Sequence, residues 1–218
     1  MNREEHYQTL AADALAFISD KYGKEFTPVF YENNDYLSTV RRIHCYTDGM
    51  DRENEHAEIV ITRDGENYEF SDNYFSYYIR PAAEQYIAEL ITREFSDCKV
   101  YREKDTGTFP DTLTCESTLE DLYRVKSDYW MSVKAYIPAV PGMAQEEYAA
   151  KAQRIEQALL ESGHRYTIYI FAVSDEVYQS IDRYQQDDFW RFFAANRTPD
   201  GEKYFYVYKS TILDGEVK

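Results

Sequence analysis

Ala57-Glu58-Ile59-Val60-Ile61-Thr62, then Arg63-Asp64-Gly65-Glu66, then Asn67-Tyr68-Glu69-Phe70 is the passage from which the fold is read. Two β-prone runs flank an Asp-Gly pair, and glycine accepts the left-handed backbone of a tight reversal without a Cβ clash. The spacing predicts an antiparallel hairpin, and a hairpin argues against an all-parallel nucleotide-binding sheet.

Working outward, Glu25 to Tyr31 and Thr39 to Thr47 read as two further strands, so the first half is a meander. Pro28 cannot donate to a ladder, which places its strand at an edge or gives it an irregularity. Upstream, Tyr7, Leu10, Ala11, Ala14, Phe17 and Ile18 recur at helical spacing from Glu4 to Tyr22, with Gly23 as the stop. Downstream, Pro81 is expected at the first turn of a helix over residues 80–95, with Ala83, Tyr86, Ile87, Leu90, Ile91 and Phe95 as its apolar stripe. Lys99 to Glu103 is another strand candidate.

Residues 104–117 carry turn and cap signals without a long apolar period and form the candidate boundary. Thr118 then caps a short helix over Leu119 to Val125, with Asp121 in its first turn. Tyr129 to Ile137 reads as a strand, Gln145 to Ser162 as a helix stopped by Gly163, and Tyr166 to Val173 as a strand covered on both faces. A short helix at 186–195 and a strand from Lys203 to Ile212 complete the pattern. The reading is an α+β fold with an antiparallel or mixed sheet packed by three main helices. It divides into an α+β first half, 1–104, and an α/β-like second half, 118–218, packed as one domain or two.

The chain has 218 residues and a formal charge of -16, from 40 acidic and 24 basic side chains. Residues 1–109 hold 22 acidic and 12 basic positions and residues 110–218 hold 18 and 12, so neither half offers a basic groove for nucleic acid. The apolar runs are too short for a transmembrane span. Met1 to His6 lacks the basic start and apolar core of a leader, so an extracytoplasmic site requires a leader outside this sequence; otherwise the expectation is cytoplasmic.

Chemistry leaves little trace. Neither a G-x-G-x-x-G nor a Walker-type phosphate loop occurs, and no G-x-S-x-G elbow. Cys45, Cys98 and Cys115 are an odd number without C-x-x-C spacing; Cys98 and Cys115, 17 positions apart, are the candidate pair, and free thiols the favoured state. His44, His56 and Glu58 lie on neighbouring strands where a metal site is conceivable, with exposed or hydrogen-bonded histidines the simpler reading. The acidic run Asp48, Asp51, Glu53 and Glu55 lacks the ordered spacing of an EF-hand and reads as a solvated loop. No catalytic residue, cofactor or metal ligand is assigned.

What stands out is the 22 tyrosines. Tyrosine joins a large apolar ring to a hydroxyl, which suits half-buried strands and contact surfaces alike. Tyr74, Tyr77, Tyr78 and Trp190 are the candidate contact residues. The expected function is a non-enzymatic interaction or structural module whose partner is a protein or cell-wall component. The alternative is a small-molecule-binding protein, or a hydrolase of unassigned substrate class.

Ala14-Leu15 through Lys21-Tyr22-Gly23-Lys24-Glu25-Phe26, followed by Asp72-Asn73-Tyr74-Phe75, resembles the opening domains of uncharacterised lipoprotein-like or cell-surface proteins of Gram-positive bacteria. The resemblance covers about the first 95 residues, and the sequence departs from it in having no lipid-bearing cysteine at its start. It allows an extracytoplasmic location and transfers no activity or catalytic residue.

Overall fold

The computed structural model describes residues 3–33, 40–105, 107–183, 204–213 and 216–217. The fold is α+β, with helices packed on one antiparallel and one mixed sheet. Two compact units share the chain: residues 1–79 with 104–125, and residues 80–103 with 126–218.

In the first unit, β1 (Thr27–Asn33), β2 (Val40–Tyr46), β3 (Ala57–Asp64) and β4 (Asn67–Asp72) form an antiparallel meander in that order. Asp64 pairs with Asn67, leaving Gly65 and Glu66 as the turn, with Gly65 at φ 60°. The meander predicted from the hairpin motif is therefore present. Alternation sends Ile43, Cys45, Ala57, Ile59 and Ile61 to one buried face, over which lies α1 (Arg3–Tyr22) with Leu10, Ala14 and Ile18. Burial of such side chains, at about 1.5–3 kcal/mol each, drives the packing. β1 is an edge strand whose register shifts between Pro28 and Phe30, as the proline required.

α2 (Tyr74–Thr92) begins seven residues before the Pro81 start expected from the sequence, and Pro81 lies inside it. The cause is a cap: the Asp72 carboxylate accepts the Tyr74 amide N–H at 2.9 Å, satisfying a helix-start donor. An interior proline costs about 3 kcal/mol. Burial of Tyr74, Phe75, Tyr77 and Ile79 around it works against that cost. α3 (Leu119–Val125) starts at the expected Thr118 cap, and the structure adds a reciprocal capping pair, with Thr118 N–H donating to Asp121 at 2.9 Å and Asp121 N–H to Thr118 Oγ1 at 3.2 Å.

In the second unit, β5 (Lys99–Arg102), β6 (Trp130–Pro138), β7 (Arg165–Val173), β8 (Tyr204–Leu213) and β9 (Glu216–Val217) form a sheet in that order. β6 and β7 are parallel, joined through α4 (Gln145–Glu161), and the other pairs are antiparallel. Tyr148, Ala152, Ile155 and Leu159 form α4's buried stripe, as their spacing predicts. A short α5 (Asp175–Ser180), not read from the sequence, is capped by Ser174, whose hydroxyl accepts from Val177 N–H. Its Val177 and Tyr178 join Tyr136, Phe171, Val173 and Ile181 in one cluster. The expected helix at 186–195 falls outside the described residues.

Candidate functional site: the open edge of the meander

Three of the four predicted contact residues are occupied by the fold. The Tyr74 ring is 4% exposed and meets Tyr22 and Phe26 edge-on, at 4.7 and 4.8 Å between centroids. Tyr77 is buried, its hydroxyl donating to the His56 carbonyl at 2.8 Å. Tyr78 is half-buried and donates to the Cys115 carbonyl. The sequence reading put these rings on a surface because it missed the first turns of α2; helical periodicity turns Tyr74 and Tyr77 inward together. Trp190 lies outside the described residues.

The groups with chemical potential are also held. Lys21 Nζ stands 2.7 Å from Asp72 Oδ2, while Tyr22 donates its hydroxyl to Oδ1 at 2.9 Å. Burial first, and then the Asp72 charge, push the Tyr22 phenol far above its ordinary range. Burial raises Cys45 to about 12 and Cys98 to about 11, and it raises Cys115 as well. All three cysteines are free thiols, so Cys98 and Cys115 are not bridged. A raised pKa keeps a thiol protonated and weakly nucleophilic at neutral pH.

The meander does bring His44, His56 and Glu58 together on its other face. His44 pairs with Glu58 across β2 and β3. Phe30, however, stacks on His44 at 4.0 Å and meets the His56 ring edge-on at 6.0 Å. Aromatic packing, with Glu32 3.5 Å from His44, is thus the role of this cluster. The acidic loop folds on itself: Asp51 Oδ1 accepts the Glu53 and Asn54 amides, and Glu55 Oε2 accepts the Asp51 amide. Among the described residues no group of three or more His, Cys, Asp or Glu side chains converges as a metal cage would. No described helix is long and apolar enough to cross a membrane.

The surface that is offered outward lies on β1. Val29, Phe30 and Tyr31 are 43%, 45% and 54% exposed, three consecutive large apolar side chains. β1 pairs with β2 on one side, and among the described residues no strand pairs with its other side. Register places Phe30 opposite His44 and Tyr31 opposite Ile43, so the edge presents a ring on each face of the sheet. Natural edges are usually blunted by charge, proline or bulges. Here Pro28 and the bulge blunt the start of β1, and the part from Phe30 onward carries the exposed rings.

Beneath that edge, between α1 and the sheet, is a cavity of about 240 Å³ lined by Leu10, Ala11, Tyr31, Arg41, Ile43 and Ile61 among others. Arg41 shares the helix-facing side of β2 with Ile43; Arg42 also borders the cavity, and its guanidinium reaches Glu32 and Glu58 at 3.9 and 3.8 Å. The sequence reading flagged β1 as an edge through Pro28 and overlooked its exposed triplet. The available signal was that Val29-Phe30-Tyr31 breaks the alternation of a strand with one buried face.

No protein-family model matches the chain, and no curated protein matches it. Among solved structures, the chain is similar in fold to a DUF5037 family protein from the Gram-positive bacterium Ruminococcus gnavus ATCC 29149, at 14% identity and TM-score 0.50, over 94% of this chain and 92% of that one.

Proposed function

We propose that this acidic, tyrosine-rich protein is a non-enzymatic interaction module that binds an extended segment of a partner protein as an added strand on β1. The observation that carries this reading is the exposure of Val29, Phe30 and Tyr31 on an edge without a second strand partner among the described residues. Strand addition takes its affinity from main-chain hydrogen bonds and its specificity from alternate side chains. The rings would add apolar contact that persists when salt screens the -16 charge. The buried Lys21–Asp72 pair and the protonated thiols fit a structural role better than a reactive one.

Panning a library of random linear peptides against the full chain at about 0.5 M salt tests it, since charge-only binders are removed there. Related sequences should be enriched, and on binding the amides of residues 29–33 should exchange more slowly with solvent. Phe30→Lys should abolish that binding, while Val140→Lys, at an exposed site of the other unit, should not. No enriched sequence, or equal binding by both variants, would overturn the reading.

A further inference from the structure

The cavity beside β1 is smaller than the roughly 300–1,000 Å³ clefts that hold whole small-molecule ligands. At about 240 Å³ it has room for one large side chain, since a cavity of roughly 150 Å³ already admits benzene. Leu10, Ala11, Ile43 and Ile61 give it an apolar wall, with Gln8, Arg41 and Arg42 also bordering it, and Tyr31 connects it to the edge, because that residue both lines the cavity and is half exposed. A residue added opposite Tyr31 would project on the same side of the sheet as Tyr31 and Ile43, toward α1 and the cavity, because facing residues of paired strands share a side.

On the strand-addition reading above, we infer that this cavity is a specificity pocket for one large apolar side chain, of leucine, methionine or phenylalanine type, on the segment that pairs with β1. Lysine or arginine is disfavoured at that position because its charge would be partly desolvated against the apolar Leu10, Ala11, Ile43 and Ile61. The rest of the segment follows the opposite rule. The chain carries -16 and β1 itself contains Glu32, so basic residues flanking the apolar position complement the field that draws the segment in. The same field opposes a second copy of this chain at the edge. The occupant is therefore an extended heterologous peptide, apolar at the pocket position and basic around it.

The experiment uses the tightest peptide from the panning and three versions of it, with alanine, lysine or leucine at the pocket position. Against the wild-type chain, leucine should bind about tenfold or more tighter than alanine, the scale set by burying one such side chain, and lysine should bind more weakly than alanine. Ala11→Phe, which fills the cavity from α1 and leaves β1 untouched, should erase the leucine advantage without changing the alanine peptide. Equal affinities for the three peptides, with Phe30→Lys still abolishing binding, would overturn the pocket while leaving strand addition standing. Insensitivity to Phe30→Lys would overturn strand addition itself. Concentration-dependent dimerisation lost in Phe30→Lys would show a second copy at the edge and overturn the heterologous occupant.

Discussion

Lys21 and Asp72 form an ion pair 2.7 Å long with side chains 5% and 0% exposed, linking the last turn of α1 to the end of β4. The Asp72 carboxylate also accepts the Tyr22 hydroxyl and the Tyr74 amide, and its carbonyl accepts the Phe109 amide at 2.8 Å. Asp72→Ala would leave the buried Lys21 ammonium with only the exposed Asp111 carboxylate at 3.4 Å and remove the cap of α2. The expected loss is about 3–5 kcal/mol in a denaturant titration, larger than for Lys21→Met, which leaves the carboxylate two donors. A loss below about 0.5 kcal/mol for Asp72→Ala would mean the pair is not structural.

Burial lifts the thiols of Cys45 and Cys98 to about 12 and about 11. It also raises the phenols of Tyr22, Tyr74 and Tyr178. Each of these groups holds its proton more tightly folded than unfolded. Their contribution is therefore whole below the unfolded values, about 8.5 for thiol and about 10 for phenol, and is lost as pH rises through the folded ones. The urea midpoint should fall between about pH 7.5 and about pH 10.5, and fall less in Cys45→Ala. An equal midpoint at both pH values would contradict the burial of these groups.

Ile155 on α4 and Leu90 on α2 are both in the core of the second unit, at 1% and 6% exposure. Truncating either to alanine removes apolar burial and leaves a void, at an expected cost of about 2–5 kcal/mol by denaturant titration. Val125→Ala, at an exposed site, should cost less than about 0.5 kcal/mol. Comparable costs at all three sites would place the core elsewhere.

Glu84 receives both guanidinium nitrogens of Arg183 at 2.6 Å and the Arg102 amide at 2.8 Å. The fork geometry is specific to arginine. Arg183→Lys should therefore cost about 1–2 kcal/mol despite conserving charge, discounted for the quarter exposure of Arg183. Thermal melts of Arg183→Lys and Arg183→Met distinguish the cases: if lysine fully preserves stability, charge alone suffices.

Local signals made much of this fold legible. The Asp-Gly turn, the glycine stops at Gly23 and Gly163, and the Thr118 cap each act within a few residues, so their reading needs no tertiary knowledge. At α2 two local signals compete. Pro81 suggested a start, and Asp72-Asn73, equally good cap residues, supplied the real one. The β1 edge was half legible: Pro28 identifies an edge, but exposure of Val29, Phe30 and Tyr31 depends on what the sheet leaves uncovered. Residue type alone could not sort core tyrosines from contact tyrosines, since the same ring and hydroxyl suit both.

α2 belongs to both units, with Tyr74 to Ile79 in the first and the rest in the second. The first unit also needs residues 104–125, and the second needs 80–103 before its later strands. No single cut in the chain can release either unit intact. During synthesis the first unit stays incomplete until residue 125 has emerged, by which time the opening stretch of the second is already outside the ribosome. Neither unit, on this division of the chain, is complete before the helix they share has formed.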